Sequence, residues 1–229
     1  PAFRRPEDSL RQLETGKTYM ERLLGVPVTG CWPSEGSVSM EALDQIVRTG
    51  FAWTATDETI LLRELQGAPR SRLYKPYVTK TASGNLSMLF RDRGLSDAIG
   101  FQYASMREED SVAQFMEHVR AIRDGLSEPG VLSIIMDGEN AWEFYPGGGA
   151  CFLGLMYDAL VNEPGIRLTT VSEALGDVPA LPLPAIRPGS WIDGDFKVWI
   201  GSREDNSSWG YLRATRDDWE GFTPDEQWR

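Results

Sequence analysis

An α/β fold built on a parallel sheet or barrel is what this chain predicts, and three observations carry the prediction. Extended runs alternate with amphipathic helical stretches in the order strand, helix, strand. Several extended runs end on acidic residues: Glu35, Asp57-Glu58, the Asp92–Asp97 loop, and Asp137 with Glu139. One run, Val131 to Met136, is apolar throughout, as a strand covered on both faces of a parallel sheet would be.

Taken in order, Pro6 opens the first helix. Leu10, Leu13, Met20, Leu23 and Leu24 fall near one face, and Gly25 can stop it. Pro27 to Trp32 is extended. Ser37 or Ser39 caps a helix with the stripe Met40, Leu43, Ile46 and Val47, ended by Gly50. Phe51 to Thr56 is the next strand. Residues 73–78 and 86–90 form two extended runs around a hairpin turn at Ser83-Gly84-Asn85. A long helix over 109–126 buries Val112, Phe115, Val119 and Ile122. Phe152, Leu155, Met156 and Ala159 mark another helix, and Ile166 to Val171 a last strand. Ser172-Glu173-Ala174-Leu175 is a capped helical turn. Gly176 to Pro188 is Pro-rich and aperiodic, a linker or surface strap. Beyond it lie a weakly alternating stretch from Ser190 to Gly201 and a helical one from Glu204 to Trp219.

Composition narrows the function. The chain has 229 residues and 41% hydrophobic content, enough for a substantial core. A formal charge of -11 argues against nucleic acid, whose phosphates need a basic surface. No apolar run is long enough to span a membrane, and no signal peptide opens the chain. Cys31 and Cys151 stand far apart and outside any CxxC pair, so reduced thiols and a cytoplasmic setting are expected. The chain begins without Met, which points to a piece of a longer or processed protein.

Two acidic clusters hold the candidate chemistry: Trp32-Pro33-Ser34-Glu35-Gly36-Ser37 and Asp137-Gly138-Glu139-Asn140-Ala141-Trp142-Glu143. Each sets a carboxylate beside an aromatic ring at the end of a short extended run. Two carboxyl groups brought together from separate strand ends are what chemistry on a glycosidic bond requires. One must be ionised and the other protonated, a split supplied by burial and like-charge proximity. The plainer role of each acidic residue is to cap a helix or make a turn. The company of Trp142 and Glu143 after a wholly apolar run favours chemistry at the second cluster.

At these residues the chain resembles glycoside hydrolase family 57, the α-amylase and 4-α-glucanotransferase type. Gly30 to Ser39 is similar to the motif bearing the family's nucleophile, which would be Glu35. Met136 to Glu143 is similar to the motif bearing the general acid/base, which would be Asp137. Residues 53–58, 90–101 and 189–201 also resemble bacterial members. The resemblance implies part of a distorted (β/α)7 barrel with a C-terminal strap and helical appendage. It implies residues 1–175 as catalytic domain lacking its first strands, 176–189 as linker or strap, and 190–229 as appendage. It further implies a retaining reaction on an α-glucan or maltooligosaccharide, with no metal and no cofactor. Trp32, Asp57, Glu58, Asp97, Glu139, Asn140 and Trp142 would bind substrate. The family's His-containing motif is not in this chain.

Other readings stay open. A non-catalytic carbohydrate-binding or regulatory module could keep the scaffold. A metal-dependent hydrolase is disfavoured by the lack of a His pair at ligand spacing. Glu58 and Glu139 are rival nucleophiles. His118, beside the apolar stripe of the long helix, is expected at a boundary or in solvent. Cys31 is expected to be a small core residue, because no base partner is visible. Oligomeric state is open.

Overall fold

The structure, a computed structural model, describes residues 5–138 and 142–200. A five-stranded sheet of order β1-β2-β4-β3-β5 organises it. The strands are β1 (Gly30–Cys31), β2 (Trp53–Asp57), β3 (Tyr77–Lys80), β4 (Asn85–Arg91) and β5 (Leu181–Pro182). β1, β2 and β4 run parallel, with β2 and β4 paired from Trp53↔Ser87 to Asp57↔Arg91. β3 returns antiparallel to β4, making the expected hairpin. It is shorter than the sequence predicts: Pro76 has no N–H to give a ladder, and residues 70–74 form a 3-10 turn.

Helix α1 (Pro6–Leu24) starts on its proline and stops at Gly25, whose φ of 70° suits glycine. Its expected stripe is only partly used. Leu13 packs on the core, whereas Leu23 and Leu24 are exposed. Lys17 on its inner side donates to the carbonyls of Thr49 and Gly50 at 3.2 and 2.9 Å. It thereby caps α2 (Met40–Arg48), where a cation meets the negative end of the helix. Ser39 caps the other end, accepting from the Ala42 N–H.

Two cores result. The first lies under the sheet and joins Leu43, Ile46, Tyr77, Met88 and Phe90 to Leu183 and Ile186 of the C-terminal strap. The second joins α4 (Arg93–Asp97), α5 (Glu108–Asp124) and α6 (Ala150–Val161) through Ile99, Phe115, Val119, Phe152 and Met156. The proline-rich stretch adds β5 alongside β3, with Leu181 and Leu183 N–H groups donating to Pro76 and Val78 carbonyls.

Two expected strands are corrected. Residues 131–136 are extended and half-buried but form no ladder; a single bridge joins Ser133 to Arg91. β3 already fills that edge of β4 as far as Met88, so only the last residues of β4 remain open to the newcomer. Leu132, Ile134 and Met136 turn toward the second core. Residues 166–170 are irregular, and Val171 already starts helix α7 (Val171–Asp177). Thr170 caps it with a reciprocal Thr170–Glu173 box, which draws this segment into helix initiation. The helix expected from Glu204 to Trp219 lies outside the described residues.

Candidate active site

The site is assembled at the C-terminal ends of the parallel strands, where the loops of such folds carry function. After β1 the chain makes a tight 3-10 turn, Ser34–Gly36. Glu35 and Gly36 both take left-handed backbone, with φ of 55° each. For glutamate this costs about 1–2 kcal/mol, and such strain gathers at functional positions. A Cβ on Gly36 would stand 3.0 Å from the Trp32 ring and 3.1 Å from Trp191, so glycine is needed for space as well as for φ.

The turn lifts the Glu35 side chain to the surface. Trp191 Nε1 donates to Glu35 Oε2 at 2.7 Å, and the Trp191 backbone N–H donates to the Glu35 carbonyl at 3.1 Å. The Trp32 and Trp191 rings meet edge to face with centroids 5.4 Å apart. Thr56 of β2 holds the loop from below, its hydroxyl donating to the Gly36 carbonyl at 2.6 Å.

Beside this loop lies a buried charge cluster. Asp57 and Arg91 end adjacent parallel strands in register, so their side chains share one face. Arg91 is 5% exposed and donates to Asp57 at 3.2 Å, to Asp97, and from Nε to the Ile135 carbonyl at 2.7 Å. Its guanidinium carbon lies 5.1 Å from the Trp191 ring centroid. Asp137 follows Ile135 by two residues and is half-buried. One cation therefore touches both the ring that binds Glu35 and the strand end that carries Asp137.

The expected binding residues separate into groups. Trp32 and Asp97 border the surface near Glu35 and Arg91. Asp57 does not: it is fully buried, and it caps α3 (Glu58–Glu64) while pairing with Arg91, so it presents no face to a ligand. Glu58 spends its carboxylate on a two-pronged pair with Arg70 and on the Arg93 N–H. Trp142 packs on Tyr145 and Phe152 in the second core. Glu139 and Asn140 lie outside the described residues. Arg91 and Trp191 were not singled out as site residues from sequence. Both stand in segments that carry the family resemblance, and a buried arginine at a strand end was the available signal.

Neighbouring groups behave as scaffold. Burial pushes the Cys31 thiol up to about 11, so it stays protonated at neutral pH. Burial, and next the Asp92 carboxylate, raise the Tyr74 phenol above its ordinary range; Tyr74 donates to Asp92 at 2.8 Å. A cavity of about 530 Å³ lined by Tyr74, Asp92, Tyr103 and the exposed His118 includes neither Glu35 nor Asp137. Among the described residues no three His, Cys, Asp or Glu side chains gather as a metal site.

Known structures share this architecture. A 4-α-glucanotransferase from Thermococcus litoralis superposes with a TM-score of 0.67 at 24% identity, over 82% of this chain and 28% of its own. The α-amylase AmyC from Thermotoga maritima does so with 0.67 at 14%, over 85% and 49%. A family 57 branching enzyme from Thermococcus kodakaraensis, crystallised with glucose, gives 0.68 at 16%, over 94% and 52%. The fold is thus the mixed α/β architecture of the distorted (β/α)7 barrel, present in part, and the chain spans about half or less of each of these proteins. No curated protein matches the chain in sequence. The model of glycosyl hydrolase family 57 matches residues 1–186, and the chain belongs to that family.

Proposed function

We propose that the protein carrying this chain is a retaining α-glucan hydrolase or 4-α-glucanotransferase, with Glu35 as nucleophile and Asp137 as general acid/base. The observation that carries the reading is the Glu35 turn. An exposed carboxylate stands on strained backbone at a strand's C-terminal end, anchored by one indole N–H whose ring meets a second indole edge to face. Such rings offer apolar faces to the C–H face of a pyranose.

Glu35 attacks the anomeric carbon while Asp137 protonates the departing glycosidic oxygen, leaving a glycosyl-enzyme. Asp137, now ionised, deprotonates a water or an acceptor hydroxyl, which displaces Glu35 with a second inversion. Exclusion of water decides between hydrolysis and transfer. The two carboxyls must come to about 5–5.5 Å for this route. Residues 1–175 act as the later part of the barrel, 176–189 as the strap, and 190–229 as the appendage, whose Trp191 meets the Glu35 loop. The free thiols Cys31 and Cys151 support the cytoplasm as its compartment.

Labelling with a 2-deoxy-2-fluoro maltosyl fluoride and mapping the modified peptide tests the reading. Label on Glu35 supports it. Label on Glu58 or Glu139 rejects the assignment, and binding of maltooligosaccharide with no turnover favours a non-catalytic module.

A further inference from the structure

We propose that Trp191, held by Arg91, is a positioning residue that orients the Glu35 carboxylate. The catalytic consequence rests on Glu35 being the nucleophile; the contact itself does not.

An indole nitrogen can only donate. Oε2 is therefore the acceptor of this bond, and its position is set by where the indole points. The same bond selects the reacting atom. Oε2 is engaged, and among the described residues no hydrogen bond falls on Oε1, which is left to attack. The rotation of the side chain about its own bonds is thus fixed by a residue 156 positions away.

The donor is itself immobilised. The Trp191 backbone N–H binds the Glu35 carbonyl, and two residues earlier Gly189 and Val38 exchange hydrogen bonds at 2.9 and 3.1 Å. Trp32 abuts the ring, and the Arg91 guanidinium lies against it. Arg91 cannot drift, because Asp57, Asp97 and the Ile135 carbonyl hold it. The charged groups around the clamp are Arg91 with Asp57 on the strand ends, Asp97 and Arg93 on α4, and Asp193 beyond the strap, 3.9 Å from Arg93.

The full-length protein labelled with ¹⁵N-tryptophan provides a readout independent of turnover. The Trp191 indole resonance is identified by its loss in Trp191→Phe. It is expected downfield of exposed indole resonances, and to move in Glu35→Gln, where a neutral amide replaces the carboxylate. A Trp191 resonance at the position of an exposed indole, or one that ignores Glu35→Gln, overturns the clamp whatever the activity. In turnover assays, Trp191→Phe keeps a ring against Arg91 and removes the donor. A charge-assisted bond lost in this way is expected to cut kcat about 10- to 100-fold with little change in KM. An unchanged kcat also overturns it. An indole that responds to Glu35→Gln in a protein that turns over no glucan rejects the proposed function and leaves the clamp standing.

Discussion

The two carboxylates stand on scaffolds of different construction. Glu35 sits on a turn closed from several directions: Thr56 from the sheet, Trp32 from its own loop, and Gly189 with Trp191 from the strap. The segment leading to Asp137 gives its Val131 N–H to the Tyr74 carbonyl at 2.8 Å, takes the Asp92 N–H on its Ser133 carbonyl at 2.8 Å, gives its Ile135 N–H to Ser96 at 3.2 Å, and receives Arg91 at the Ile135 carbonyl. One side is a turn closed by long-range contacts to residues 189 and 191. The other is an extended segment laid along the end of β4, and Arg91 is common to both. A strained turn needs that closure to persist, whereas an extended segment in relaxed backbone does not.

Removing the shared member should have the largest effect. Arg91→Met leaves Asp57 buried without its cation, and such losses cost about 3–5 kcal/mol. Urea denaturation measures it, and a loss below about 1 kcal/mol would mean that the cluster is not the junction described. Next comes the acid/base role proposed for Asp137. Asp137→Asn should lower turnover about 10²–10⁴-fold with the fold intact by circular dichroism, and normal turnover would remove Asp137 from the mechanism.

Smaller changes separate the two sides. Gly36→Ala puts a side chain on left-handed backbone against both tryptophans and should cost about 1–3 kcal/mol. It should also broaden the Trp191 indole resonance; a sharp, unshifted signal would count against the closure. Ser96→Ala removes the hydroxyl that accepts from Ile135 and donates to the Asp92 carbonyl; it should cost about 1–2 kcal/mol and leave Trp191 undisturbed. The least effect concerns Cys31, at the foot of the Glu35 loop. Burial raises its thiol to about 11 from an ordinary 9.0, so the folded state holds its proton longer. Stability should therefore fall as pH rises from about 9 to about 11, and Cys31→Ala should flatten that part of the curve. At neutral pH a thiol reagent should modify exposed Cys151 well before Cys31.

Much of this was legible in the chain. The 3–4 spacing of Val112, Phe115 and Val119 places one face of α5 in the core, because a helix has a single period to satisfy. Pro6, Gly25 and Ser39 mark helix ends through their own backbone and side-chain chemistry. Residues 131–136 were misjudged because an apolar run reports burial and says nothing of whether a neighbouring strand edge is vacant. Asp57 and Glu58 look like site acids in sequence, yet each finds an arginine, Arg91 and Arg70, that only packing brings near.

By itself the sequence determined the alternation of strands and helices, the family, and the two acidic clusters, all of which are written in local order. Tertiary structure alone decided that Trp191 reaches Glu35 and that Arg91 touches both flanks. Those contacts join residues scores of positions apart, and only the closing of the chain upon itself selects which donor meets which acceptor.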